Sequence, residues 1–130
     1  MTTQVLALEK DLFFAVKMRD TLRHYDIEVK IVRSLPAFEE TLIAKDAQAY
    51  ALAIVNTATV GVNWETAIRI AHNAGLKVLA FGSHLDLVAR SKALEAGAQR
   101  VVANSKFTSD MPGLIQRMLN ETASEPESTI

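Results

Sequence analysis

The sequence predicts an α/β fold in which a parallel sheet is covered by helices on both faces, and three observations carry that prediction. Short apolar runs alternate with amphipathic helical patterns five times along the 130 residues. The first, third and fourth of these runs are continuously apolar, as strands buried on both sides are. Glycines and small polar residues stand where the helical patterns start and stop.

Val5-Leu6-Ala7-Leu8 reads as the first strand, followed by a helix from near Asp11 with Leu12, Val16 and Leu22 assigned to its apolar face. Residues 28–32 alternate with period two, the pattern of a half-exposed edge strand. Pro36 suits the first turn of a helix running to about Asp46. The run Ala51-Leu52-Ala53-Ile54-Val55 is the expected central strand and ends on Asn56. A polar loop then reaches Asn63, an N-cap for a helix over 64–74 that Gly75 stops.

Val78-Leu79-Ala80-Phe81 gives the fourth strand, and Ser83 with Asp86 three residues on resembles a capping box for the next helix. That helix carries Leu85, Leu87, Val88 and Leu94 and ends at Gly97. Residues 100–103 form a short fifth strand, and Thr108 or Ser109 caps a last helix to about Asn120 with Met111, Leu114, Ile115, Met118 and Leu119. Residues 1–120 are thus one domain, and the polar segment 121–130 with Pro126 is expected to be a disordered tail. For five strands wound with five helices, the flavodoxin-like order 2-1-3-4-5 is the natural arrangement.

Composition narrows the chemistry. With 14 basic and 15 acidic residues the net charge is −1, which offers no field to draw the chain to nucleic acid or a membrane surface. Cysteine is absent, so disulfides, thiolate metal sites and a cysteine nucleophile are excluded. No apolar run approaches the ~18 residues of a transmembrane span and no secretory signal is evident, so a cytoplasmic protein is expected. Glycines 61, 75, 82, 97 and 113 form no phosphate-cradling motif. His24, His72 and His84 lack a nucleophile and an orienting group in a usable pattern and are assigned no catalytic role. Trp64 and Phe107 are expected to pack in or near the core.

Element order and spacing, together with Lys92-Ala93-Leu94-Glu95-Ala96-Gly97-Ala98, resemble the receiver domains of bacterial response regulators over about residues 4–120. The resemblance implies a phosphoacceptor aspartate at the end of the third strand, and this chain has Asn56 there. It implies two magnesium-binding acids after the first strand, where Glu9 and Lys10 stand with Asp11 next. The hydroxyl residue expected after the fourth strand falls on Gly82, with Ser83 beside it. The lysine and proline expected after the fifth strand fall on Asn104 and Ser105, with Lys106 two residues beyond Asn104 and therefore on the same side if the strand continued. The aromatic switch position is Val101.

An amide has no carboxylate oxygen to attack phosphorus, and a lysine ammonium supplies no lone pair to a cation. Phosphoryl transfer needs these groups as a unit. The resemblance therefore points to a degenerate, pseudo-receiver-like member: a stand-alone signalling protein with no reaction of its own, no metal and no cofactor, acting through protein partners. Its expected contact face lies on the fourth helix, fifth strand and final helix at Leu87, Leu94, Val101 and Met111, with a homodimer as one outcome. The alternative is a small-molecule or anion sensor at the carboxyl ends of the strands, with Lys10 and Lys106 as counter-charges. A phosphoaccepting regulator that uses Glu9 or Asp11 instead stands behind both. For Asn56 itself, tying neighbouring loops together is favoured over holding a ligand.

Overall fold

In a computed structural model, residues 2–44, 49–59, 61–83, 86–121 and 127–129 are described. The chain runs β1 (Thr3–Leu8), α1 (Leu12–Arg23), β2 (Ile27–Val32), α2 (Leu35–Ala44), β3 (Leu52–Asn56), α3 (Trp64–Asn73), β4 (Lys77–Gly82), α4 (Leu87–Ala96), β5 (Arg100–Ala103), α5 (Asn104–Ser109), α6 (Met111–Asn120) and β6 (Glu127–Thr129). The sheet is parallel, in the order β2-β1-β3-β4-β5-β6, so the expected winding of the first five strands is the one found.

Alternation along the strands divides the core in two. Leu6, Leu8, Ala53, Val55, Val78 and Ala80 face α2, α3 and α4, which contribute Phe38, Ile68 and Ala93. Val5, Ala7, Leu52, Ile54, Leu79 and Phe81 face α1, α5 and α6, which contribute Met18, Phe107 and Ile115. Phe107 is fully buried and stacks on Phe81 with ring centroids 4.2 Å apart, while Phe14 tilts against both rings. Trp64 is half-buried against the first cluster. Gly75 and Gly97 adopt positive φ, 88° and 118°, so both end their helices in the left-handed conformation that lacks a Cβ penalty.

Several boundaries differ from the sequence reading. The buried face of α1 is Ala15, Met18 and Leu22, whereas Leu12 and Val16 are exposed. At about 100° per residue Leu22 lies about 120° around the helix from Val16, so those two never shared a stripe. Asp86, not Ser83, caps α4: its side chain accepts from the Ala89 N–H. His84 and Leu85 lie outside the described residues. The last helical stretch is broken into α5 and α6 at Asp110, whose φ of −146° is not helical. Pro112 follows in the first turn of α6, where its missing N–H costs nothing.

The domain also extends past residue 120. Glu121 forms an ion pair with the buried Arg100 and accepts from Gln99 Nε2, and its carbonyl accepts from Lys77 Nζ. Glu127–Thr129, expected to be disordered, instead pair in parallel with β5, whose outer edge otherwise presents open hydrogen-bonding groups. Among the described residues no helix is long and apolar enough to cross a membrane.

Candidate functional site

The parallel register brings the residues singled out in the sequence to one edge of the sheet. Leu8 pairs with Val55 and Asn56 with Phe81, so Glu9 and Asn56 leave adjacent strands side by side, and Gly82 lies beside Ala103. Glu9 is 2 % exposed, a depth at which a carboxylate needs hydrogen-bond partners. It has them. Asn56 Nδ2 donates to Glu9 Oε1 at 2.8 Å and the Asp11 N–H donates to Oε2 at 3.1 Å.

Asn56 is committed at its other end too. Its Oδ1 accepts from the Ala58 N–H at 2.9 Å, and its backbone carbonyl accepts from Thr59 Oγ1 at 2.8 Å. The side chain is therefore a clamp between the end of β1 and the loop after β3. An aspartate in its place would set a second carboxylate against Glu9 with no donor between them, a repulsion that an amide removes.

The neighbouring acids and bases are deployed structurally. Asp11 caps α1, its Oδ1 accepting from the Phe14 N–H at 3.2 Å. The Lys10 carbonyl accepts from Arg33 Nε and Nη2 at 3.1 and 3.0 Å, and its ammonium reaches toward Gly61 across the mouth of the cleft. Divalent-metal ligation does not fit this set, because Glu9 and Asp11 are engaged with donors and an ammonium shares the cleft. Among the described residues no group of three His, Cys, Asp or Glu side chains could hold a metal ion.

On the far side of Asn56, Gly82 packs against Thr57. A Cβ on Gly82 would overlap the Thr57 hydroxyl, which donates to the Phe81 carbonyl at 3.3 Å. Thr57 thus brings a hydroxyl from the β3 loop to the position that the resemblance assigns to a residue of β4. Ser83 is exposed.

Asn104 and Lys106 do not extend β5; both are in α5. In a helix, residues two apart point about 200° away from each other, so the expected pairing of their side chains on one side fails. Of the contact-face residues, Leu87 is 61 % exposed and Leu94 half-buried, but Val101 and Met111 are buried and present no surface. Val101 is held in the α4 side of the core and Met111 starts the buried stripe of α6. Val88, expected with Leu87 on the fourth helix, is exposed beside it; on α1, Phe13, which the sequence does not single out, is exposed, and so are Leu12 and Val16, assigned to the apolar face.

No protein-family model matches the chain, and no curated protein does. Among solved structures it is similar to a CheY-like response-regulator receiver domain from Methanospirillum hungatei (TM-score 0.75, 18 % identity, 92 % of this chain and 95 % of that one). It is also similar to the response-regulator domain of Thermotoga maritima CheB (TM-score 0.77, 13 % identity, 94 % and 99 % covered). A Francisella response-regulator receiver domain superposes comparably (TM-score 0.77, 9 % identity, 92 % and 98 % covered). The fold is therefore that of receiver domains over essentially its whole length.

Proposed function

We propose that this chain is a pseudo-receiver that works in signalling through protein–protein contact, without phosphorylation at position 56 and without a reaction of its own. The observation that carries the reading is the bond from Asn56 Nδ2 to the buried Glu9 carboxylate. It turns the edge where a receiver would hold metal and phosphoryl group into a closed hydrogen-bonded unit. Asn56 is matched to its neighbour, and the match supports a settled state rather than a single lost oxygen.

The contact surface that best fits this role is apolar and exposed: Leu87 and Val88 at the start of α4, and Leu12, Phe13 and Val16 on α1. A homodimer through the α4 patch remains part of the proposal. The alternative, an anion or metabolite sensor with Lys10 and Lys106 converging on Asn56, has less to support it, since Lys106 belongs to α5 and both ends of the Asn56 amide are occupied.

Magnesium tests the reading. Titration of the 15N-labelled chain with Mg²⁺ at constant ionic strength is expected to leave the amides of Glu9, Asn56 and Ala58 unshifted. A saturable shift of those three would refute it.

A further inference from the structure

β2 ends the sheet on one side, and among the described residues no strand lies beyond it. The carbonyls of Asp26 and Val32 accept from the N–H groups of Thr3 and Glu9, so the residues in phase with them, Glu28 and Lys30, also turn their peptide groups toward β1. Ile27, Val29 and Ile31 therefore hold theirs outward, along an edge of unpaired donors and acceptors. A trough of about 400 Å³ runs beside the first half of this edge, lined by Arg19, Arg23, Ile27, Glu28, Val29 and Lys30 among others. It lies where one more strand would continue the sheet.

The exposed side chains of the edge are Glu28 and Lys30, which flank Val29 on one face of the strand. Charged residues on an edge strand ordinarily blunt pairing with other chains. Here their order makes the edge complementary to itself. Two copies of β2 running antiparallel about a twofold axis at Val29 would set Val29 opposite Val29, Ile27 opposite Ile31 and, twice over, Glu28 opposite Lys30. Each pair of outward-facing residues can exchange two backbone hydrogen bonds, and Glu28 and Lys30 fall at the closer, non-hydrogen-bonded positions. Sliding by two residues either way brings Glu28 against Glu28 or Lys30 against Lys30, so charge selects the register. The helices leave room for this. α1 packs across β1 and β2 through Met18 and Leu22, which puts the two α1 helices about two strand spacings apart, roughly 9–10 Å, an ordinary helix-packing distance. Arg19 and Arg23 stand 3.9 and 3.7 Å from the same Asp20 carboxylate, so this flank of α1 carries both signs of charge.

We propose that the outer edge of β2 is a dimerisation edge for a second copy of this chain, joined antiparallel at Val29 with Glu28 and Lys30 as reciprocal ion pairs. The contact is separate from the α4 patch proposed above and does not depend on it. Two short edges bury little beside the ~1,200 Å² of a standard interface, so the dimer is weak and forms as concentration rises.

Sedimentation equilibrium of the full chain, in a concentration series reaching about 1 mM, is expected to show a monomer–dimer equilibrium. Val29→Pro removes an N–H that points away from β1, so it should abolish the dimer while circular dichroism shows the fold retained. Glu28→Lys and Lys30→Glu, each alone, set like charges opposite one another and should each raise the dissociation constant about tenfold. An equimolar mixture of these two variants restores opposite charges across the axis and should recover the dimer, as should the double exchange in one chain. The mixture decides the matter even where Val29→Pro fails to fold. The proposal is overturned if the parent chain stays monomeric throughout the series, if the mixture associates no better than its components, or if a folded Val29→Pro variant dimerises like the parent. It is equally overturned if Leu87→Glu dissociates the dimer and Val29→Pro does not, which would place the interface on the α4 patch.

Discussion

The residue that decides the chemistry of this edge is Asn56, and the reason lies in its partner. Glu9 is buried, and each of its oxygens accepts a hydrogen bond, one of them from the Asn56 amide. Asn56→Asp exchanges a donor for a second carboxylate at contact distance. Its expected cost is about 1–3 kcal/mol of stability near neutral pH, read from chemical denaturation. The sign with pH is fixed by which form is disfavoured: the loss should be largest at high pH, where both carboxyls are ionised, and shrink as acid lets one of them keep a proton. An equal loss at every pH would mean that packing, not charge, is responsible. Gly82 gives a second test at this scale. Gly82→Ala must displace the Thr57 hydroxyl and should cost about 1–3 kcal/mol, much of it recovered in the Thr57→Ala background. Additive costs would contradict the close approach.

At the scale of elements, the strands were the most legible part of the sequence. Continuous apolar runs belong to strands covered on both faces, and β1, β3 and β4 are those strands. The helix α3 was equally plain, because Asn63 caps it and Gly75 ends it. Phase and breaks were harder. The apolar side chains of α1 run nearly all the way round the helix, so periodicity alone could not separate the buried Met18 from the exposed Phe13. The α5–α6 break depends on the backbone at Asp110, for which Pro112 is only an indirect signal. Of the site, the convergence of Glu9 and Asn56 was readable from topology, but the place of the Thr57 hydroxyl arises from side-chain packing that no local pattern encodes. One long-range device holds α6 in place: Lys77 Nζ donates to the carbonyls of Met118, Leu119 and Glu121 at its C-terminal end. Lys77→Met should therefore lower stability by about 1.5–3 kcal/mol and speed amide exchange in α6 ahead of α3. Uniform exchange changes would remove Lys77 as the cap.

Across the whole molecule the ends of the strands divide the work. At the amino-terminal edge, the buried Arg100 pairs with Glu121, one residue beyond the last helix. Glu121→Ala takes that carboxylate away from a buried guanidinium and should cost about 3–5 kcal/mol, seen as a fall in the denaturation midpoint. A change within about 0.5 kcal/mol would show that the pair is only a surface contact. At the carboxyl-terminal edge a receiver fold keeps its geometry while Glu9, Asp11 and Asn56 serve as structural groups. On the proposed reading, what the molecule offers its surroundings is a receiver-like scaffold with exposed apolar side chains on α1 and α4. The direct measurement is the intact mass of the chain after incubation with acetyl phosphate and Mg²⁺, under conditions that phosphorylate an active receiver domain. The expected result is no mass change; an acid-labile gain of one phosphoryl group, mapped to Glu9, Asp11 or another carboxylate of this edge, would contradict it.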